Sequence, residues 1–212
     1  MKNILCYGDS LTWGYNADGP SRHRLEDRWP SVLQAELGSA AHVIADGLNG
    51  RTTAYDDGLA GEDRNGARTL PLVLGTHSPL DLVIIMLGAN DMKPWIHGNA
   101  FVSKNGMKRL AQIVRTHPYQ LDAPAPKLII VSPPPVTPTN DAEFAAAFAG
   151  AIEASVHLAR HYTALAEEIG CGFFDAGSVA RTTPLDGIHL DAENTRAIGQ
   201  GIAPLVRATL AL

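Results

Sequence analysis

The run Leu82-Val83-Ile84-Ile85-Met86-Leu87 is apolar throughout and shows no polar alternation. The run Leu128-Ile129-Ile130-Val131 has the same character. Strands covered on both faces are continuously apolar, whereas strands with one solvated face alternate apolar and polar residues. Both runs therefore predict strands in the middle of a parallel sheet that has helices on both faces.

Short apolar runs alternate with longer helical patterns along the rest of the chain, which is typical of β-α-β units. The predicted strands cover residues 3–7, 42–46, 81–87, 127–132 and 172–175. The predicted helices cover residues 29–37, 65–77, 103–116, 141–169 and 192–209. Within 141–169, apolar residues recur at helical spacing, which favours packing against the sheet over a ligand-binding stripe. These residues are Phe144, Phe148, Ile152, Val156, Ala159 and Tyr162.

The composition indicates one globular domain over residues 1–212. The chain is 45% hydrophobic and 18% charged, with a formal net charge of -5. Its length of 212 residues suits one domain, since domains typically run about 100–200 residues. The 17 basic residues are scattered among 22 acidic ones. We therefore expect no nucleic-acid partner.

Hydropathy and cysteine content predict the compartment. No apolar run approaches the roughly 20 residues of a membrane span, and the first residues show no signal-peptide core. The two cysteines, Cys6 and Cys171, lie in apolar segments, which suits buried thiols better than a disulfide or a metal site. We expect a cytoplasmic protein with no membrane partner, metal or other cofactor.

Chemically useful residues follow the predicted strands. Ser10 follows the first strand, Gly47 the second and Asn90 the third, while Asp186 and His189 follow the last. In open parallel sheets, ligands bind beyond the carboxyl ends of the strands. We therefore expect these five residues to meet at one edge of the sheet.

Ser10, His189 and Asp186 are the candidates for nucleophilic catalysis. A serine hydroxyl needs a base to accept its proton, and the base needs a third group to orient it. Asp186 and His189 are three residues apart, so one turn could place the carboxylate beside the imidazole. Taken alone, however, Gly8-Asp9-Ser10 can equally be a turn or a helix cap.

Acyl transfer also needs hydrogen-bond donors for the oxygen that becomes negative. The candidates are the backbone N–H groups of Ser10 and Gly47 and the side-chain amide of Asn90. Singly, Gly47 and Asn90 are ordinary turn residues. Together with Ser10, they predict an oxyanion hole.

Taken together, these segments resemble the four sequence blocks of the GDSL esterases, also called SGNH hydrolases. The blocks are Gly8-Asp9-Ser10-Leu11, Gly47, Gly88-x-Asn90-Asp91 and Asp186-x-x-His189, in the family's order. The resemblance implies a three-layer α/β/α sandwich with a five-stranded parallel sheet, of flavodoxin-like type. It implies Ser10 as nucleophile, His189 as base and Asp186 as its orienting group, with an oxyanion hole from Ser10, Gly47 and Asn90.

Within the family, the chain looks most like bacterial arylesterases and acyltransferases, on segments 8–14, 82–91 and 132–135. It departs from many relatives at Asn49, where they have serine. The side-chain contacts of the loop after Gly47 are therefore expected to differ from those of the relatives. The backbone donor expected from Gly47 is unaffected.

Two other function classes share parts of this pattern. A dinuclear metallophosphatase would use Asp, Asn and His at strand ends, and the possible ligands are Asp9, Asp46, Asn90, Asp91 and His189. Such a site gives no reason for Ser10, and the closely spaced histidine pairs that it favours are missing near those strands. A non-catalytic flavodoxin-like binding module has the same architecture, so the fold alone does not exclude it.

Four residues are candidates for the substrate pocket: Trp13, Tyr15, Trp95 and Ile188. Apolar and aromatic walls beside a serine nucleophile suit an acyl or aryl ester. Loops 16–28 and 51–64 are longer than a β-α connection requires. We expect these loops and segment 92–101 to narrow the pocket and to contact a second subunit of a homo-oligomer.

The sequence thus predicts a serine esterase that hydrolyses small acyl or aryl carboxylic esters through an acyl-enzyme. Its partner is a small-molecule ester, and acyl transfer to alcohols is a further expected activity. The alternative substrate class is O-acetylated carbohydrate, since the same catalytic residues serve those esters.

Overall fold

The computed structural model describes residues 1–19 and 21–212, and its centre is a five-stranded parallel sheet. Its strands are β1 (Lys2–Gly8), β4 (Ala41–Gly47), β5 (Leu82–Met86), β6 (Lys127–Ser132) and β7 (Gly172–Asp175), in the spatial order β4-β1-β5-β6-β7. All five residues of β5 are buried, as its unbroken apolar run predicts. The predicted parallel sheet is confirmed.

Helices cover both faces of this sheet. They are α1 (Ser10–Trp13), α2 (Trp29–Leu37), α3 (Gly66–His77), α4 (Ala100–Thr116), α5 (Ala142–Ala147), α6 (Ala151–Ser155), α7 (Leu158–Ile169) and α8 (Ala192–Leu210). Short 3₁₀ helices cover Leu25–Asp27, Gly38–Ala40, Asn90–Met92, Gln120–Asp122 and Ala176–Ser178. No helix in the described part of the chain is long and apolar enough to cross a membrane.

Two apolar cores lie on opposite faces of the sheet, because successive strand residues point to opposite sides. Leu5 and Tyr7 of β1 pack in one core with helices α3, α4 and α7. Ile4 and Cys6 of the same strand pack in the other core with α2 and α8. The chain is therefore a three-layer α/β/α sandwich.

The prediction of one helix over residues 141–169 was wrong. Helices α5, α6 and α7 replace it, and Gly150 precedes α6 with a φ of 82°, in the left-handed region that a continuing helix cannot adopt. The apolar stripe is divided accordingly. Tyr162 packs in the core, whereas Ile152 and Val156 are 44% and 55% exposed.

Loop 16–28 contains structure that the sequence pattern did not indicate. Strands β2 (Tyr15–Asn16) and β3 (Ser21–Arg22) form a short antiparallel ribbon. Residue 20, which also falls in this predicted loop, lies outside the described residues. The ribbon begins directly after α1, so it holds Tyr15 beside the carboxyl edge of the sheet.

Candidate active site

Ser10 is the first residue of α1, two positions after β1 ends at Gly8. Asp9 caps this helix, because its Oδ1 accepts a hydrogen bond of 3.0 Å from the backbone N–H of Leu11. The cap turns the chain sharply out of the sheet. As a result, Ser10 lies at the carboxyl edge of the central strands, with only 5% of its surface exposed.

His189 joins Ser10 to Asp186. Its Nε2 lies 2.9 Å from Ser10 Oγ, and its Nδ1 lies 2.5 Å from Asp186 Oδ2. The loop before α8 forms a turn in which Asp186 Oδ1 accepts the backbone N–H groups of Ile188 and His189, at 3.0 and 2.9 Å. This turn fixes the carboxylate and the imidazole relative to each other. The structure thus brings together three residues that are up to 179 positions apart in sequence.

The charge of Asp186 is favoured by its surroundings. Burial raises the pKa of this carboxyl, but hydrogen bonds from the His189 side chain and from two backbone N–H groups outweigh burial, so the pKa lies below its usual value. Asp186 is therefore a carboxylate at neutral pH. A carboxylate at this position holds the proton of His189 on Nδ1, which leaves Nε2 free to accept one from Ser10.

Asn90 reaches the same site from the loop after β5. Its Nδ2 donates to Asp9 Oδ2 at 3.3 Å and to the backbone oxygen of Arg51 at 3.2 Å. These contacts hold the amide at the wall of a cavity of about 150 Å³ that Ser10 and His189 also line. Both N–H groups of the amide thus have acceptors in the protein, so Asn90 can donate to a bound carbonyl oxygen when that oxygen replaces one of these two acceptors.

Gly47 does not line this cavity, whereas Gly50 does. Gly47 ends β4 and packs so closely on α1 that a Cβ there would lie 2.3 Å from the backbone nitrogen of Trp13. Its small size thus serves a backbone contact. The structure brings Gly50, three residues further along, to Ser10 and Asn90, and the Asn49-Gly50 pair was the turn signal for it in the sequence.

Two of the four predicted pocket residues lie at the cavity. Tyr15 and Ile188 line it, and the Tyr15 ring lies 4.1 Å from the His189 ring between centroids. Trp13 and Trp95 are not among its lining residues. Trp13 instead packs under the guanidinium of Arg22, and Trp95 donates its indole N–H to Asp57.

Sequence reasoning missed Phe144 and Phe148, which line the cavity as well. The Phe144 ring meets the His189 ring edge-on, 5.8 Å away between centroids. Their helical spacing indicated core packing, whereas in the structure Phe144 lies on α5 and Phe148 directly follows that helix. Arg64 and Lys93, from the ends of two loops predicted to narrow the pocket, also line it.

Two buried carboxyl groups, Asp9 and Asp91, are the chain neighbours of the lining residues Ser10 and Asn90. Burial raises the pKa of each to about 6, against the lowering effect of their hydrogen bonds from Leu11 and Thr53 respectively. Within residues 1–19 and 21–212, no group of three or more His, Cys, Asp or Glu side chains is placed to hold a metal ion. Asp46, one of the possible metal ligands, forms an ion pair of 2.8 Å with Arg51.

We expect Asp9→Asn to remove part of the pH dependence of stability. Burial raises the pKa of Asp9 from 3.8 to about 6, so the folded state holds more protons than the unfolded state between these values. The stability contributed by Asp9 is therefore fully present below pH 3.8 and is lost as the pH rises through about 6. The free energy of unfolding of the wild type, relative to the variant, should fall by about 3 kcal/mol over this window.

Urea denaturation of both proteins at several pH values within this window measures that difference. A difference that stays constant across the window would show that Asp9 titrates as an ordinary exposed carboxyl.

Comparisons with known proteins show the family of the chain. The model of the GDSL-like Lipase/Acylhydrolase family matches residues 6–197. A carbohydrate acetylesterase family member from Sinorhizobium meliloti has a similar structure, with 64% identity, 100% of both chains covered and a TM-score of 0.99. The native aryl esterase of M. smegmatis is 44% identical over 99% of this chain and 100% of its own, with a TM-score of 0.94.

A second carbohydrate acetylesterase from Sinorhizobium meliloti is 41% identical over 98% of this chain and 99% of its own, with a TM-score of 0.92. The comparison with curated proteins gives no match.

Proposed function

Because the chain belongs to the GDSL-like Lipase/Acylhydrolase family and is an esterase, we propose that it hydrolyses small acyl or aryl carboxylic esters through an acyl-enzyme on Ser10. The observation that carries this proposal is the position of His189, whose two ring nitrogens lie 2.9 Å from Ser10 Oγ and 2.5 Å from Asp186 Oδ2. This is the geometry that a nucleophile, a base and an orienting carboxylate require.

In the first half-reaction, Ser10 Oγ attacks the ester carbonyl carbon while His189 Nε2 takes the hydroxyl proton. The carbonyl oxygen becomes negative in the tetrahedral intermediate. His189 then gives the proton to the leaving alcohol as the carbon–oxygen bond breaks, which leaves the acyl group on Ser10. Asp186 stabilises the imidazolium during this transfer and orients the ring.

In the second half-reaction, water attacks the acyl-enzyme, and His189 Nε2 takes a proton from that water. A second tetrahedral intermediate forms. It breaks down when His189 returns the proton to Ser10 Oγ and the carboxylic acid leaves. Hydrolysis therefore consumes one water and regenerates the enzyme.

The oxyanion is held by the backbone N–H groups of Ser10 and Gly50 and by Asn90 Nδ2. Gly50 takes the place expected for Gly47, since it is Gly50 that lines the cavity with Ser10 and Asn90. Donors that are fixed before the reaction stabilise a developing negative charge without reorganising. The contacts with Asp9 and with the Arg51 backbone orient the Asn90 amide, and the oxyanion would replace one of these two acceptors.

We expect Asn90→Ala to lower kcat by about 10²–10³, which is 2.7–4 kcal/mol of transition-state stabilisation. The reason is that the variant removes one oxyanion donor and leaves the nucleophile and base in place. Steady-state kinetics on a p-nitrophenyl ester measure the effect, and thermal unfolding checks the fold. A loss below tenfold would show that Asn90 has only a structural role.

A serine-directed fluorophosphonate tests the proposed function directly. The reagent should add covalently to Ser10, without added metal, and mass spectrometry of the digested protein locates the adduct. An adduct elsewhere, or none with a folded protein, would contradict the mechanism. A metallophosphatase or a binding module gives no reason for an adduct on Ser10.

O-acetylated carbohydrates form the second candidate substrate class. The supporting observation is the 64% identity with a carbohydrate acetylesterase family member, although the comparisons do not favour this class over simple esters. A screen of p-nitrophenyl esters of increasing acyl length against acetylated sugars discriminates between the two.

Acyl transfer to alcohols is a further part of the proposal. Phe144, Phe148 and Ile188 give the cavity apolar walls on which an alcohol can compete with water for the acyl-enzyme. Formation of a new ester in the presence of an added alcohol measures this activity.

We also propose that the protein is a cytoplasmic single domain over residues 1–212 that assembles as a homo-oligomer. Two free cysteines are consistent with a reducing compartment. Leu59, Trp95 and Phe101 are 78%, 45% and 51% exposed and lie in or next to the loops expected to meet a second subunit. Apolar side chains that form a contiguous exposed patch favour association. A monomer in analytical ultracentrifugation would contradict the oligomer.

A further inference from the structure

One wall of the active-site cavity is cationic. Arg64 and Lys93 line the cavity together with Ser10 and His189, and none of its described lining residues is acidic. The buried carboxyl groups of Asp9 and Asp91 lie close enough to act on the charge of Lys93 but do not line the cavity. The mechanism of ester hydrolysis uses neither cation. Their position beside the nucleophile therefore calls for a role in substrate binding.

Lys93 is buried without a close ion-pair partner. Only 8% of its surface is exposed, and its Nζ lies 4.0 Å from Asp57 Oδ2, which is beyond hydrogen-bond distance. The rings of Trp95 and Phe148 flank the ammonium at 5.5 and 5.6 Å. Burial lowers the pKa of Lys93, and Asp57 opposes that effect. The ammonium thus retains donor capacity that the protein does not use.

The carboxylates of Asp57 and Glu62 do not accept hydrogen bonds from the Lys93 ammonium. Asp57 is shared, because its Oδ2 also lies 3.5 Å from Arg64 Nη1. Its Oδ1 accepts the indole N–H of Trp95 and the backbone N–H of Leu59. Glu62, 3.1 Å from Arg64 Nε, is half exposed, so water screens its charge.

An anionic group in the cavity would complete this arrangement. A buried ammonium is unfavourable until a carboxylate or an equivalent acceptor pairs with it. Charge-assisted hydrogen bonds to carboxylates are about twice as strong as those between neutral groups, and they are stronger still away from water. The apolar walls at Phe144, Phe148 and Ile188 reduce the access of water to such a pair.

We propose that Lys93, assisted by Arg64, determines substrate specificity by binding a carboxylate, so that the preferred substrates are esters that carry a carboxylate on the acyl or the alcohol part. This inference rests on the proposed esterase function. It adds a substrate class to that function and leaves the roles of Ser10, Asp186 and His189 unchanged.

Matched pairs of esters test the proposal. 4-Acetoxybenzoate and 4-acetoxybenzamide differ only by a carboxylate or a neutral amide on the alcohol part. Monomethyl glutarate and its monoamide, methyl 4-carbamoylbutanoate, differ in the same way on the acyl part. In at least one pair, kcat/KM of the wild type should favour the carboxylate by about tenfold or more.

Two lysine variants test whether Lys93 causes the preference for the carboxylate ester. Lys93→Gln removes the charge at the cavity, so the preference within the favoured pair should fall to about threefold or less. Lys108→Gln removes a charge from the surface ion pair with Glu168 and should keep the wild-type preference. The ratio of kcat/KM for the two esters of a pair is compared between proteins. A change in activity that affects both esters equally therefore does not alter the result.

Inhibition of the wild type provides a second measurement in case Lys93→Gln does not fold. Benzoate should inhibit hydrolysis of 4-acetoxybenzamide about tenfold more tightly than benzamide does. Equal rates within both ester pairs, equal inhibition by benzoate and benzamide, or a preference that survives in Lys93→Gln would overturn the proposal. The esterase function fails in a different way, namely if no ester is hydrolysed in a Ser10-dependent manner.

Discussion

Ser10→Ala should abolish ester hydrolysis while the protein remains folded. The loss expected when the nucleophile of such a catalytic set is removed is about 10⁶-fold in kcat. The reason is that an alanine methyl group can neither attack the carbonyl carbon nor carry the acyl group. Initial rates with a p-nitrophenyl ester measure the loss, and the variant should also form no adduct with the fluorophosphonate.

The fold of this variant should change little. Ser10 Oγ contacts His189 Nε2, and α1 keeps its cap, because the cap is provided by the side chain of Asp9. Ser31→Ala, on α2 and away from the cavity, is a matched control that should retain wild-type rates and labelling. Turnover by a folded Ser10→Ala above a trace would rule out Ser10 as the nucleophile.

Asp186→Asn should lower kcat by about 10⁴. The Asn carbonyl oxygen can still accept the two backbone N–H groups that bind Asp186 Oδ1, so the turn can be kept. The Asn amide nitrogen, however, would face His189 Nδ1 as a donor. The imidazole would then carry its proton on Nε2 and could not take one from Ser10.

Asp191→Asn is the matched control for this prediction. Asp191 is exposed and caps α8, where its Oδ1 accepts the backbone N–H of Asn194 at 2.8 Å. Asparagine caps helices about as well as aspartate, so this variant should keep both activity and stability. If the two variants lose activity equally, the loss reflects disturbance of the chain before α8 and not the proton position on His189.

The strands were predictable because their signal is local. The unbroken apolar runs at 82–87 and 128–131 place β5 and β6 to within one residue at each end, because a strand buried on both faces is apolar throughout. The segment 141–169 was not predictable in the same way. Its apolar spacing fits one helix, but a left-handed backbone at Gly150 separates α5 from α6, and a second break after Ser155 separates α6 from α7.

The side chains proposed for catalysis were predictable from the sequence. The phenylalanine residues that line the cavity around them were not. Ser10, Asn90, Asp186 and His189 follow strand ends or precede a helix, so their meeting at one edge follows from a parallel sheet. Phe144 and Phe148 reach the same cavity from a helix that looks like core packing in sequence.

Gly47 and Gly50 show why the sequence alone did not identify the glycine at the cavity. Both are glycines in one short turn, and the sequence alone favoured the one next to the strand. The close contact of Gly47 with the backbone of Trp13 uses that glycine for packing, while the turn carries Gly50 to the cavity. Hydropathy and composition do not distinguish two glycines that are three residues apart in the same loop.

The sequence by itself determined the parallel sheet and the residue types available for acyl transfer, because apolar runs and the residues that follow them are local features of the chain. The resemblance of its motif blocks pointed to the family. The tertiary structure alone decided which glycine lines the cavity, which aromatic rings lie beside His189, and that Lys93 is buried with its Nζ 4.0 Å from Asp57 Oδ2. These are distances between segments far apart in the chain, and they are set by how the helices pack on the sheet.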